Sequence, residues 1–302
     1  MSPSKPEIRP ESQVDPALIR PLDPSLFAPS EREAAFLRTT ISEDETEVKR
    51  RVMEVQEEAY ARYPYPCIRI FHHVSLMMSA NPVYPMVLEG GKKGDTYFLD
   101  LGCCMGTDVR KLAQDGYPAS HVLGCDLRPE FIELGYKLYA DRDSCPVRFF
   151  ASNIFDVPVS FSPTSSNETS ISATPTELAQ LTGSLTHIYT GALFHLFDES
   201  TQFAIALRLA TLLKRESGAV IFGRHSGLEE AGKIDDHLGR NRYGHSEQSW
   251  PLLWKSVFAE AEGPEFAESR LRVEAKLGPE FPKHLFGVSR SGRMLVWSVQ
   301  IL

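Results

Sequence analysis

The rhythm of apolar and polar positions changes twice along the chain. Residues 1 to about 30 are rich in Pro, Ser and charge without a sustained period, and 1–41 reads as an irregular N-terminal arm. The run SEDETEVKRRVMEVQEEAYAR (42–62) opens with acidic residues, which suit the positive end of a helix dipole, and continues with helix formers. A second apolar stretch follows over 68–78 and is broken by Asn81-Pro82 and Tyr84-Pro85, so 42–93 is expected to form a helical cap. After Gly94 the pattern becomes TYFLDL (96–101), HVLGCD (121–126), VRFFAS (147–152), THIYT (186–190) and AVIFG (219–223), short apolar runs separated by helical segments such as 199–215. That alternation predicts parallel strands joined by crossover helices. The last two runs, 269–277 and 292–302, are separated only by a polar, Gly- and Pro-containing loop, and therefore pair antiparallel. The expectation is an α/β domain over 94–302 with a seven-stranded, mostly parallel sheet, a C-terminal antiparallel strand, and a Ser/Thr/Pro-rich surface insertion at about 157–183.

Composition narrows the class. In 302 residues, 42% hydrophobic and 24% charged positions leave enough apolar side chains for one catalytic domain with a cap. A formal net charge of -8 repels phosphate backbones and argues against a nucleic-acid partner. No apolar run approaches the roughly 20 residues of a membrane span, and MSPSKPEIRPESQ lacks the apolar core of a secretory signal, so a cytoplasmic protein is expected. The cysteines at 67, 103, 104, 125 and 145 form no CxxC pair and read as reduced thiols. No metal is expected, because His72 and His73 are adjacent and diverge on a helix, and no GxSxG supplies a hydrolase nucleophile.

The candidate chemistry begins where the first strand ends. Asp100-Leu101-Gly102-Cys103-Cys104-Met105-Gly106 opens a helix, and its glycines allow backbone N–H groups to approach a ligand. A dinucleotide fingerprint would place a second glycine where Cys104 stands, which weakens a nicotinamide reading. Asp126 closes the second strand, where an acceptor-only carboxylate can take both hydroxyls of an adenosine ribose. After the third strand, Asn153 offers hydrogen bonds to an adenine edge and Ile154 an apolar contact to its face.

These strings, DLGCCMGTDVRKL, GCDLRPEFIELG, SNIFD and ALFHLF, together with YPYPCIRIF and RYGHSEQSWPLLW, resemble the fungal secondary-metabolite methyltransferases, notably those of meroterpenoid pathways. The likeness runs from about Tyr60 to the C-terminus, leaving out the arm and the insertion. It implies a class I, Rossmann-like methyltransferase with S-adenosyl-L-methionine as cofactor and a small lipophilic natural product as substrate, methylated on a carboxylate or hydroxyl oxygen. By position, Asp100, Gly102 and Gly106 would line the methionine part of the donor, Asp126 the ribose, and Asn153 with Ile154 the adenine. Tyr189 and Thr190 would border it.

On the acceptor side, His195 follows the fourth strand at the carboxyl edge, where open α/β sheets gather ligands. It is the first catalytic candidate, against the alternative of a packing residue held between Leu and Phe. Arg224, Arg242, His245 and Trp250 mix cations and aromatics in a segment expected at a pocket mouth, a combination suited to a lipophilic acid. Tyr60, Tyr63, Tyr65 and Phe71 either close over the cleft or pack the cap onto the sheet. Two other classes stay open: a methyltransferase-fold cyclase or pericyclic catalyst, and a donor-binding regulator. Oligomeric state is not specified by the sequence, a homodimer being among the alternatives.

Overall fold

A computed structural model describes residues 19–159, 175–234, 241–280 and 293–302. Seven strands form one sheet: β1 (Phe98–Leu101), β2 (Val122–Asp126), β3 (Arg148–Ala151), β4 (His187–Gly191), β5 (Val220–Gly227), β8 (Leu271–Glu280) and β9 (Arg293–Ile301). Their order is β3-β2-β1-β4-β5-β9-β8, and β9 alone runs antiparallel, to both β5 and β8. The order reverses direction between β1 and β4. That is the switch point at which the carboxyl ends of open sheets leave a crevice for ligands.

The two faces of the sheet follow from the period of two. Phe98, Tyr189 and Phe222 point to the face covered by α4 (Tyr84–Lys92) and α5 (Thr107–Gln114), in a cluster with Val87, Leu112 and Tyr117. Leu99, Ile188 and Ile221 point to the other face, against α7 (Glu199–Leu212) and α8 (Ser249–Glu262). The short α9 (Pro264–Ser269) then leads into β8, and a small hairpin, β6 (Gly232–Ile234) with β7 (Arg242–Gly244), stands between β5 and α8.

The cap starts earlier than its expected boundary. Within the segment read as an irregular arm, α1 (Glu31–Thr40) is a formed helix, because Ser30 and Glu33 make a reciprocal capping box and Phe36 and Leu37 are buried. α2 (Glu45–Arg62) is capped by Asp44 and buries Val48, Val52, Val55 and Ala59 on one stripe. With α3 (Pro66–Arg69) it packs on Phe131, Leu134 and Leu138 of α6 (Pro129–Tyr139). The insertion needs a similar amendment. Residues 160–174 lie outside the described residues, but its later part is no surface loop, since Leu178 and Leu181 form a 3-10 turn whose side chains are fully buried in the core.

Candidate active site at the carboxyl edge

The turn after β1 is held by its neighbours. Gly102 and Cys103 donate their N–H groups to the carbonyl of Cys125, at 2.8 and 3.0 Å. Cys104 adopts φ +51°, a left-handed conformation that a residue with a Cβ takes only when its surroundings enforce it. The enforcing contact is visible: Asp126 Oδ2 accepts the Cys104 N–H at 2.8 Å, while Oδ1 accepts that of Arg128 at 2.9 Å. Asp126 is thus a clamp on the turn, and its carboxylate, with about four lone-pair sites, keeps room for a ligand hydroxyl. Gly102 has φ +84°, and a Cβ placed there would meet nothing within 4 Å, so this side of the turn is open. Gly106 is required for a different reason, as a Cβ there would fall 2.4 Å from the Phe149 ring.

Beneath the turn, Asp100 is 3% exposed and its Oδ1 has no hydrogen-bond partner. Burial raises its pKa well above the carboxylate range, and the charges of Asp108 and Asp126 add to the effect. Asp108, near the start of α5, is pushed up to about 7, mainly by burial, although its Oδ1 accepts the Met78 N–H at 3.0 Å. Three carboxylates held together, one with an orphaned oxygen, form a place that a cationic ligand relieves. Thr190 Oγ1 and the Tyr189 hydroxyl, both buried at the end of β4, also lack partners. Asn153 caps a 3-10 turn through Oδ1, which accepts the Phe155 N–H at 3.0 Å, and Ile154 is buried behind it.

The chain's N-terminal part seals this edge. Met77 and Met78 cross from the cap to α5, and Arg224 on β5 reaches the Met77 sulfur. Asn81 Nδ2 donates to the carbonyls of Gly223 and Trp297, tying the crossing to β5 and β9. Phe71, at φ +62°, kinks the chain just before His72.

The described side chains fit an S-adenosylmethionine donor: an open positive-φ turn, a strand-end carboxylate, and an unpartnered buried acid for a cationic group. The comparisons decide the family. Residues 22–74 match the model of the meroterpenoid methyltransferase N-terminal domain, which draws the later half of the supposed arm into the likeness. Methyltransferase adrK of Penicillium roqueforti is 32% identical over 257 residues, covering 83% of this chain and 86% of the relative. The Asnovolin E/Chermesin D methyltransferase nvfJ of Aspergillus novofumigatus is 34% identical over 212 residues, 70% of each chain. The O-methyltransferase phiE of a fungal species is 29% identical over 86% of this chain and 87% of its own. The chain belongs to the S-adenosylmethionine-dependent methyltransferases of fungal secondary metabolism.

Within this methyltransferase the remaining sequence candidates separate. His195 is half-buried on the 3-10 turn Phe194–Leu196 after β4. Its Nδ1 accepts the Ser226 N–H at 3.3 Å, which places the imidazole proton on Nε2 and makes the ring a donor rather than a base in this arrangement. Arg242 supports that turn from the hairpin, Nε donating to the His195 carbonyl at 2.7 Å. His245 is 2% exposed, with Nδ1 2.9 Å from Ser249 Oγ, and packs edge-on against Trp250. Trp250 is fully buried among Phe194, His225, Trp254 and Trp297, so it fills the core instead of flanking a pocket mouth. The reason is local: Trp250 sits on the inward stripe of α8 with Leu253, Trp254 and Val257. The cap tyrosines join the packing. Tyr63 stacks on Tyr65 and meets Phe131 and the Arg128 guanidinium.

Residues that sequence reasoning did not assign to this edge are Asp108, Met77 and His72, which face the turn after β1 or Arg224 only through the folded crossing. Asp108 carried one signal: an acid in the first turn of a helix whose N-cap is Gly106. That pattern marks any helix start. Among the described residues no group of three or more His, Cys, Asp or Glu could hold a metal, and no helix is long and apolar enough to cross a membrane.

Proposed function

We propose that this methyltransferase transfers a methyl group to a carboxylate or hydroxyl oxygen of a small lipophilic natural product. The observation that carries the reading is Arg224. Burial of its guanidinium beside the acidic cluster depresses its pKa, with Tyr189 and Asp108 opposing that effect, and among the described residues its one hydrogen-bond partner is the Met77 sulfur. A desolvated guanidinium with donors to spare suits an anionic acceptor. An ionised carboxylate needs no general base, which agrees with a His195 ring whose Nδ1 is already an acceptor.

Asp100, Gly102, Gly106, Asp126, Asn153, Ile154 and Thr190 hold the donor in this reading, which supplies an electrophilic methyl group on a sulfonium. The protein's own work is to position an acceptor and exclude water. The cap crossing excludes water by covering the edge, and His195 and Arg242 shape the far wall. Arg224 orients the acceptor, while His245 and Trp250 act from behind as packing. The net charge of -8 keeps nucleic acid out of consideration, and a cytoplasmic location goes with the reading.

Mass spectrometry of purified protein with S-adenosylmethionine and a panel of lipophilic acids, phenols and alcohols tests it. Formation of S-adenosylhomocysteine together with an O-methylated acid or phenol is expected. Donor binding without turnover on any oxygen acceptor would favour a cyclase or a regulator instead.

A further inference from the structure

Tyr189 is the second-last side chain of β4 before the chain leaves the sheet, and it is 2% exposed. Its ring packs in the core against Phe222, but its oxygen reaches the end of the strand. A Cβ built on Gly191 would lie 3.1 Å from the Tyr189 hydroxyl, so the ring runs along the strand and delivers its oxygen beside Gly191, at the carboxyl edge. That oxygen has no hydrogen-bond partner. Asp108, Arg224 and Asp100 are the charged groups that face it, from α5, β5 and β1, and burial raises its pKa well above the usual phenol range. The group is therefore a neutral O–H donor, aimed at the edge where Arg224 also ends. A buried hydroxyl without a partner is costly, which is why such groups are nearly always satisfied by something.

Gly191 is the complementary half. Its φ is not among the positive values of the chain, so glycine is not demanded there by backbone conformation. What a side chain would do is crowd the phenol. The next residue, Ala192, takes φ +58° and donates its N–H to the Arg224 carbonyl at 2.7 Å, fixing the exit of β4 against β5. The phenol, the missing side chain at Gly191 and the anchored Ala192 thus form one feature.

We infer that the Tyr189 hydroxyl is the acceptor-contacting donor of this enzyme, hydrogen-bonding an oxygen of the bound acceptor, and that Gly191 is side-chain-free to leave that hydroxyl room. The inference rests on the oxygen-acceptor reading above. Arg224 supplies charge and Tyr189 direction: a hydrogen bond to the oxygen that does not react fixes which oxygen faces the donor. The donor's own carboxylate is the other anion the hydroxyl could meet, and the experiment separates the two.

Affinity for S-adenosylhomocysteine by calorimetry, and kcat and KM for the lipophilic acid or phenol of the panel above that the wild type methylates fastest, are measured on the wild type, Tyr189→Phe, Gly191→Ala and the double variant. The expected result is a fall in acceptor kcat/KM of about tenfold to a hundredfold for Tyr189→Phe, with S-adenosylhomocysteine affinity within about twofold of wild type. Gly191→Ala is expected to lower acceptor kcat/KM in the same direction, and to have little further effect once the hydroxyl is gone. Weakened S-adenosylhomocysteine binding in Tyr189→Phe would assign the hydroxyl to the donor and overturn the inference, as would additive losses in the double variant. A wild type that binds S-adenosylhomocysteine but methylates no oxygen acceptor of the panel would overturn the oxygen-acceptor reading, and this assignment with it.

Discussion

The proposed donor side and the proposed acceptor side of this edge are built in different ways. On the donor side each residue assigned above lies a few residues from the end of its own strand: Asp100 and the turn after β1, Asp126 closing β2, Asn153 just past β3. On the acceptor side the assigned residues come from distant segments: Met77 from the cap, Tyr189 from β4, Arg224 from β5, Arg242 from the hairpin. The first arrangement is written in the order of the chain. The second exists only after packing, and a side chain there is as readily part of the core as part of the site.

Trp250 breaks that comparison most sharply. If it is core, Trp250→Ala destabilises the protein by about 3–5 kcal/mol in denaturant unfolding, with S-adenosylhomocysteine affinity retained in the folded fraction. Near-normal stability combined with lost turnover would return Trp250 to the acceptor site.

Arg224 tests the opposite assignment. Arg224→Gln shortens the side chain, keeps one amide donor group and removes the charge. Acceptor kcat/KM is expected to fall about tenfold to a hundredfold, the ordinary worth of a hydrogen bond to a charged group, while S-adenosylhomocysteine binding holds. Equal losses for carboxylic acids and for neutral phenols would contradict an anion-orienting role.

The smallest expected effect is on pH dependence. His73, His187 and His245 are depressed to about 4 and His72 and His225 to about 3, chiefly by burial, so they stay neutral while the unfolded chain takes up protons near pH 6.5. Their contribution is complete above that pH and is lost as pH falls through it. Asp100, Asp108 and Asp126 act in the reverse sense, since raised pKa values make the folded state hold protons more tightly as pH falls. Five histidines outnumber the three carboxylates, so the histidine sense prevails and stability should fall as the pH drops between roughly pH 6 and 4. Urea midpoints across that range check it, and a midpoint that rose on acidification would contradict it.

The sheet was legible because period-two apolar runs and their polar separators reflect burial directly, and all seven strands, with the reversed β9, stand where those runs predicted them. Helix α1 was missed although Ser30 and Glu33 spell its cap, because the Pro- and Ser-rich residues before it set the tone of the whole stretch. Leu178 and Leu181 were lost inside a polar segment for the same reason. Asp108 and Met77 could not be found from spacing, since their meeting depends on the route of the crossing between α3 and α4. Trp250 shows the limit from the other side: an aromatic beside cations looks alike in sequence whether it faces a ligand or the core.

The most direct test of the central claim, that the donor is held at the turn clamped by Asp126, is calorimetric binding of S-adenosylhomocysteine to the wild type and to Asp126→Ala. The account predicts binding by the wild type and a loss of about a hundredfold in the variant, which gives up both the ligand contact and the contact that holds Cys104 at its positive φ. Equal affinity in the two proteins, or no binding by the wild type, would contradict it.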